Sequence, residues 1–259
     1  MAKWIAFPHP DKAYLHTQAS LKKSWARLHR GDCEPFPKDA GAIDAWIAYH
    51  AGDFGRAIEA GTAAGHAGWN AANKAAAVYA TYLETAEKRK LALLEEAAAR
   101  AEELQAAEPA NANAFYLYAF AAGRYSQGIS IAKALAQGLG GKVKAALETT
   151  LKLQPKHADA HIAFGSWHAE IIDKVGSMIG GVTYGAKRDA ALTHFRKALE
   201  LNPDSAIARV EYANGLVMLE GKKGLKQAEA LYAEAAECEP ADAMERLDVE
   251  LARSELADD

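Results

Sequence analysis

The chain has 259 residues, half of them apolar, with alanine the commonest residue type and only 8 prolines. This composition favours long helices, because alanine has the highest helix propensity, and the length suits one large or two modest domains. A net charge of −4 gives no basic surplus to neutralise phosphates, which argues against nucleic acid binding. No apolar run approaches the ~18 residues of a membrane span, so no membrane-spanning helix is expected.

Residues 1–39 are predicted to form an N-terminal helical cap, with a short amphipathic helix from Leu21 to His29. The apolar run of the opening stretch ends at Phe7 and two prolines follow, so this stretch lacks the apolar core of a secretory signal peptide. Cys33 and Cys238 match no metal or redox spacing. We therefore expect a cytoplasmic protein with reduced thiols.

Residues 40–240 are predicted to form helical hairpins. Segments 71–84 and 88–107 read as the two helices of a long hairpin, because they are rich in strong helix formers. Farther along, four prolines each interrupt one amphipathic stretch and precede another, at spacings of 46, 48 and 37 residues: Pro109, Pro155, Pro203 and Pro240. A period in this range is typical of stacked helix pairs.

A small residue directly follows an aromatic residue at the same place in three of these segments. Small side chains let two helices approach closely, while the large neighbours fill the space beside them. We therefore expect three pairs of residues to lie at helix–helix contacts: Tyr118–Ala119, Phe164–Gly165 and Tyr212–Ala213.

These segments resemble the tetratricopeptide repeat family, and the matching stretches are YHAGDFGRAIEAG, LKLQPKHADAHIAFG and KALELNPDSAIARVEYA. The resemblance implies an all-α fold in which helical hairpins stack into a right-handed superhelix with a concave, ligand-binding side. The spacings exceed the family's usual repeat of about 34 residues, and two hairpins carry glycine-bearing insertions, at residues 122–142 and 171–187. The first insertion is expected to hold a helix from about Ser126 to Gln137. Helix pairs with such insertions also occur in tetratricopeptide proteins of certain substrate-binding transport systems and in regulators of microtubule dynamics.

Residues 241–259 are predicted to form an acidic C-terminal helix or tail. From Glu229 to Asp259 there are eleven acidic residues and two arginines. Such an imbalance is typical of a solvated surface.

Three histidines, His157, His161 and His168, are spaced by four and seven residues. On a helix this spacing would place them on one face, where they could ligate a transition metal. However, HADAH lacks the glutamate of the zincin motif. The repeat alignment puts His161 and His168 at packing positions and His157 on the surface before the helix. The sequence therefore favours structural histidines and no bound metal.

No nucleophile motif such as G-x-S-x-G is present in the sequence, so we expect no catalytic residue, no cofactor and no enzymatic activity.

The family resemblance also implies a binding surface on the first helix of each hairpin. Aromatic side chains beside arginine and asparagine suit peptide recognition, so we predict a non-catalytic interaction scaffold for a protein or peptide partner. The predicted surface comprises Asn113, Tyr116, Phe120 and Arg124 in one repeat, Asp159, Ile162, Ser166 and Glu170 in the next, and Val210, Asn214, Val217 and Met218 in the third.

The alternative function is binding of an apolar or anionic small molecule in a pocket that the two insertions close. A peptide-binding groove would leave Tyr116 and Phe120 exposed. A small-molecule site would instead be an enclosed apolar cavity, with a lining that we expect to include Ile131, Val175, Met178 and Ile179.

Overall fold

The structure is a computed structural model that describes residues 4–257. Residues 1–3 of the predicted cap and 258–259 of the predicted tail lie outside the described residues. Across residues 4–257 every regular element is a helix and no strand occurs, which confirms the all-α prediction. The α-helices are α1 (Gln18–Leu28), α2 (Ala40–His50), α3 (Phe54–Ala63), α4 (His66–Tyr82), α5 (Glu87–Ala107), α6 (Ala112–Gln127), α7 (Ile131–Ala136), α8 (Leu139–Leu153), α9 (Ala158–Val175), α10 (Ser177–Ile179), α11 (Arg188–Leu201), α12 (Ala206–Glu220), α13 (Leu225–Ala236) and α14 (Ala243–Ala257).

The described residues form two compact units. Unit 1 comprises the residues up to His29, Glu34–Leu153 and Ala241–Met244. Unit 2 comprises Arg30–Cys33, Gln154–Pro240 and the residues from Glu245 onward.

Unit 1 contains three helical hairpins, α2 with α3, α4 with α5, and α6 with α8, and α7 lies in the connection of the third. Its core holds the fully buried rings of Trp46, Tyr49 and Tyr79. Helices α3 and α4 cross where two glycines meet, since a Cβ added at Gly61 would lie 2.7 Å from the Gly68 carbonyl oxygen. A side chain at this crossing would therefore push the two helices apart.

Unit 2 contains the hairpins α9 with α11 and α12 with α13. The ring of Phe195 on α11 is fully buried between glycines of two other helices. A Cβ added at Gly165 of α9 would lie 2.8 Å from this ring, and one added at Gly215 of α12 would lie 2.5 Å from it. Tyr212 stacks on Phe195 with ring centroids 5.2 Å apart. The bulky ring therefore requires small neighbours on both sides.

The expected helix–helix contacts of small residues are confirmed. Ala119 is buried in unit 1, and Gly165 and Ala213 are buried in unit 2. The prolines also fall between helices as the sequence indicates. After three of them, a side chain caps the next helix by accepting a hydrogen bond from the backbone N–H three residues on; these caps are Asn111, His157 and Ser205.

The insertions are more exposed than their apolar composition suggests. In the first, α6 continues to Gln127, and α7 covers only Ile131–Ala136 of the longer helix that the sequence predicts. In the second, the three residues of α10 are followed by a wider helical turn at Gly180–Tyr184. Met178 and Val182 of this insertion are 81% and 86% exposed, so the second insertion does not bury its apolar side chains within unit 2.

The C-terminal segment is packed, and the expectation of a solvated surface was wrong for much of it. Val249 of α14 is buried in unit 2 against Val210 of α12. Asp242, just before α14, is buried in unit 1, where its Oδ2 lies 2.6 Å from His50 Nδ1. In this C-terminal segment, acidic residues are thus interspersed with apolar residues that pack into a core. The carboxylate of Asp242 is itself buried against a histidine.

The three histidines of α9 do not form one stripe of metal ligands. His157, predicted to lie on the surface, is fully buried, and its Nδ1 accepts the backbone N–H of Ala160 as the helix cap. His168 is buried as well and accepts the backbone N–H of Lys187. His161 is half-buried and lies 2.8 Å from His194, measured between the two Nδ1 atoms. Each ring thus has its own local hydrogen bond.

Candidate functional site

The four predicted residues of unit 1 share one stripe of α6. Asn113, Tyr116, Phe120 and Arg124 recur at three- and four-residue intervals, which keeps them on one side of a helix. The Tyr116 and Phe120 rings stack at 26° with centroids 6.1 Å apart, and the Arg124 guanidinium lies 6.0 Å from the Phe120 centroid. This arrangement gives a ladder of two rings and a cation.

The exposure of this ladder differs from the expectation. Phe120 and Arg124 are half-exposed, whereas Tyr116 is only 7% exposed. Tyr116 therefore lacks the exposure that an open peptide-binding groove would give it, whereas Phe120 is partly exposed. The ladder presents its Phe120 and Arg124 end to solvent, while its Tyr116 end is part of the packed interior.

Asn113, at the other end of the stripe, binds a carboxylate from a distant part of the chain. Its Nδ2 donates to Glu34 Oε2 at 2.5 Å, and Asn70 Nδ2 of α4 donates to both carboxylate oxygens, at 3.1 and 3.0 Å. Both asparagines are buried. Two side-chain amides on neighbouring first helices thus form a carboxylate-binding site within unit 1.

The charges of α4 and α6 suit an anion. Neither helix contains an aspartate or glutamate, and their cations are Lys74 and Arg124. The Lys74 ammonium is buried 5.8 Å from the Tyr49 ring centroid. From residue 109 to 147 the sequence holds one arginine and three lysines and no acidic residue, in a chain whose net charge is −4. This stretch of the sequence therefore carries a net positive charge, opposite in sign to that of the whole chain.

In unit 2 three of the predicted residues form side-chain hydrogen bonds within the same unit. Ser166 Oγ of α9 donates to Glu211 Oε2 of α12 at 2.8 Å, and Lys174 Nζ donates to Glu170 Oε2 at 3.2 Å. The Tyr232 hydroxyl of α13 donates to Asn214 Oδ1 of α12.

Other predicted residues of unit 2 are covered or lie at the helix start. Asp159 N–H donates to the Gly31 carbonyl oxygen at 3.0 Å. Ile162 and Val210 belong to the core, because α14 covers Val210 and the α11–α12 pair covers Ile162. Val217 and Met218 are 38% and 37% exposed. Val217 and Met218 are therefore exposed on α12, and four other predicted residues of unit 2 are partly exposed: Asp159, Ser166, Glu170 and Asn214.

Two titratable groups in unit 2 have strongly shifted pKa values. Burial, and then the neighbouring His161, lower the pKa of His194 to about 4. Burial chiefly raises the pKa of the Cys33 thiol to about 11, and Asp32 and Asp159 raise it further. The thiol is therefore protonated at neutral pH and a weak nucleophile.

Three of the residues that would line the alternative small-molecule pocket are exposed: Ile131, Met178 and Ile179, by 53%, 81% and 57%. A cavity of about 230 Å³ in unit 1 is instead lined by residues of α5, α6 and α8, among them Glu102, Phe115 and Tyr118. It is open to solvent and includes none of the predicted lining residues.

Within residues 4–257, no group of three or more histidine, cysteine, aspartate or glutamate side chains is arranged to hold a metal ion. In the same part of the chain, no helix combines the length and the apolar character that crossing a bilayer requires.

No pattern in the sequence identifies Glu34 and Asn70 as partners of Asn113. Asn113 and Glu34 are 79 positions apart, so no local motif connects them. The signal that was present in the sequence is the lack of acidic residues from residue 60 to 83 and from 109 to 147, which sets the first helices α4 and α6 apart from their neighbours.

Comparisons with known proteins agree with the helical-repeat fold. The model of the family "regulator of microtubule dynamics protein 1-3" matches residues 66–254. Among solved structures, a thermophilic tetratricopeptide repeat protein of Thermus thermophilus is similar, with a TM-score of 0.57 and 19% identity over 83% of this chain and 97% of that chain. At this identity the similarity concerns the fold alone. No curated protein sequence matches the chain.

Proposed function

The chain belongs to the regulator of microtubule dynamics protein 1-3 family, and we propose that it is a non-catalytic scaffold that binds a protein partner on the first helices of unit 1. The observation that carries this proposal is the α6 stripe, where a half-exposed aromatic ring and arginine continue from a carboxylate-binding pair of asparagines. Arginine and aromatic side chains contribute most of the binding free energy at many protein interfaces.

The unit 1 face supports a protein ligand better than a small molecule. The stripe from Asn113 to Arg124 covers about 16 Å of helix, since each residue adds about 1.5 Å. A surface of this length suits an extended segment. A small-molecule site buries most of its ligand, whereas Ile131 of the first insertion and Met178 of the second are 53% and 81% exposed.

The family's name concerns microtubule dynamics, so microtubules are the first partner that we propose to test. A cytoplasmic location is part of the same proposal, and the absence of a disulfide at Cys33 and Cys238 supports it. Co-sedimentation with polymerised tubulin tests this partner, and affinity capture from the native cell tests others.

The deciding variant is Arg124→Glu, which reverses the charge at the exposed end of the stripe. We expect at least a tenfold loss of retained partner with an unchanged circular dichroism spectrum, because a half-exposed side chain at the contact is replaced without disturbing the core. Arg56→Glu is the matched control, since Arg56 is an exposed arginine on α3 of the same unit. Equal retention by both variants would remove the α6 stripe from the binding site.

A further inference from the structure

The Glu34–Pro37 segment has the character of a bound peptide within unit 1. It adopts no regular secondary structure and places a proline on each side of Phe36. Trp25 Nε1 donates to the Glu34 carbonyl oxygen at 2.7 Å, and the Phe36 ring packs edge-on against Trp25 with centroids 4.9 Å apart. The segment is therefore held by one carboxylate, one carbonyl group and one aromatic ring.

The site that binds the Glu34 carboxylate contains one polar atom that this segment does not hydrogen-bond. Asn70 is 6% exposed, and while its Nδ2 donates to Glu34, its Oδ1 is buried and has no hydrogen-bond partner among residues 4–257. A buried acceptor without a donor is unfavourable by an amount similar to a lost hydrogen bond. A ligand that brings an N–H group beside its carboxylate would satisfy this oxygen.

We propose that Asn70 and Asn113 form a docking point for an acidic side chain of an extended partner segment, and that the chain's own Glu34 occupies this point when the partner is absent. The inference rests on the proposed function, because it defines the chemistry of the partner that the unit 1 face accepts. The acid-free helices α4 and α6 supply the complementary charge.

The geometry of α6 also sets the spacing of acidic residues in the partner. Asn113 and Arg124 are eleven residues apart on one face, about 16 Å along the helix axis. An extended chain advances about 3.3 Å per residue. A carboxylate at Asn113 and a second one at Arg124 would therefore come from residues about five positions apart.

Occupation by Glu34 lowers the apparent affinity for the partner. A segment tethered to the same chain competes at an effective concentration in the millimolar range. Weakening the hold of this segment should therefore increase binding of an acidic peptide, although no contact to that peptide is added.

The test uses the full-length chain and a fluorescein-labelled peptide of residues 31–39 with Cys33→Ser, which carries Glu34 and Asp39 five positions apart. We expect the variant Glu34→Ala/Phe36→Ala to bind this peptide at least tenfold more tightly than the wild type in fluorescence anisotropy titrations. Adding Asn113→Ala to that variant should remove the gain. A peptide with Glu34→Gln should bind at least tenfold more weakly than the original peptide.

The matched control is Lys38→Ala, an exposed position in the same segment, which should bind like the wild type. If the double variant fails to fold, the single variant Glu34→Gln keeps the backbone contacts, and at least a threefold gain is expected. We call the Glu34→Ala/Phe36→Ala protein the released variant. Equal affinity of the wild type and the released variant for the peptide, or equal binding of the original peptide and its Glu34→Gln form, would overturn the inference.

The outcome is separable from that of the proposed function. If partner capture depends on Arg124 but the released variant gains no affinity for the peptide, the proposed function stands and this inference fails. If the released variant binds the peptide and no protein partner is retained from the cell or by microtubules, the carboxylate site stands and the scaffold function fails.

Discussion

The first helices of the two units share one hairpin architecture but differ in charge. Helices α4 and α6 of unit 1 contain no acidic residue, whereas α9 and α12 of unit 2 contain five: Asp159, Glu170, Asp173, Glu211 and Glu220. In unit 1 the asparagines bind a carboxylate that comes from outside the hairpins, while in unit 2 Ser166 binds a carboxylate of the adjacent hairpin. Both units thus bind a carboxylate of their own, but in unit 1 the donors are buried amides on helices without acidic residues.

The largest expected effect comes from overfilling the core of unit 2. Ala213→Trp should destabilise unit 2 by about 3 kcal/mol, because Ala213 is fully buried beside Phe195 and Leu216. Val217→Trp on the same helix is the matched control, since Val217 is 38% exposed, and it should change stability by less than about 0.5 kcal/mol. Urea denaturation measures both, and similar stabilities of the two variants would contradict the alignment of the repeats.

A smaller effect is expected from removing one donor of the unit 1 carboxylate site. Asn113→Ala should cost about 1.5–3 kcal/mol, because a buried side-chain amide loses its hydrogen bond to a charged group. Ser166→Ala in unit 2 should cost about 1 kcal/mol, because Ser166 and Glu211 are both only half-buried and water can replace the hydroxyl group. Hydrogen exchange by mass spectrometry should localise the change to residues 34–37 and α4 for Asn113→Ala. If Asn113→Ala instead gave faster exchange only in unit 2, Asn113 would not be the residue that holds the Glu34 segment in unit 1.

The stability of unit 2 is expected to depend on pH through a pair of histidines. The folded pKa of His194 is about 4, below the unfolded value of 6.5, and the pKa of His161 is lowered as well, in both cases mainly by burial. As the pH falls, the unfolded chain therefore binds protons before the folded chain does. The contribution of these histidines to the free energy of unfolding is complete above pH 6.5 and is lost as the pH falls toward 4. Since both rings are partly exposed, we expect a loss of about 1–2 kcal/mol.

Replacing one ring of this pair tests the pH effect. His194→Phe should reduce the fall in unfolding free energy between pH 6.5 and 4 in urea titrations. His66→Phe is the control, since His66 is an exposed histidine of unit 1. An identical pH profile for His194→Phe and the wild type would show that the pair does not govern acid sensitivity.

The sequence was sufficient for the helical hairpins and their contacts, because both depend on local, periodic signals. Prolines separate the helices, and the small residues Ala119, Gly165 and Ala213 lie at buried contacts as their position beside aromatic residues indicates. These signals repeat from one hairpin to the next, so they can be aligned without a structure.

The polar contacts could not be predicted in the same way, because they join residues far apart in the chain. His50 and Asp242 are 192 positions apart, and no period connects them. His157 is buried because its ring caps α9, a role that spacing alone does not distinguish from metal binding. For the candidate site, repeat alignment found Asn113, and only the fold brought Glu34 to it.

We propose that helices α4 and α6 of unit 1, which contain no acidic residue, receive an acidic partner segment, and that α9 and α12 of unit 2 do not. Amide NMR spectra of the isotope-labelled Glu34→Ala/Phe36→Ala variant, titrated with the residue 31–39 peptide, distinguish these helices. We expect saturable shift changes for residues of α4 and α6, including Asn70 and Asn113, with little change in α9 and α12. Shift changes centred on α9 and α12, or none at millimolar peptide, would show that the acidic segment does not bind at this site.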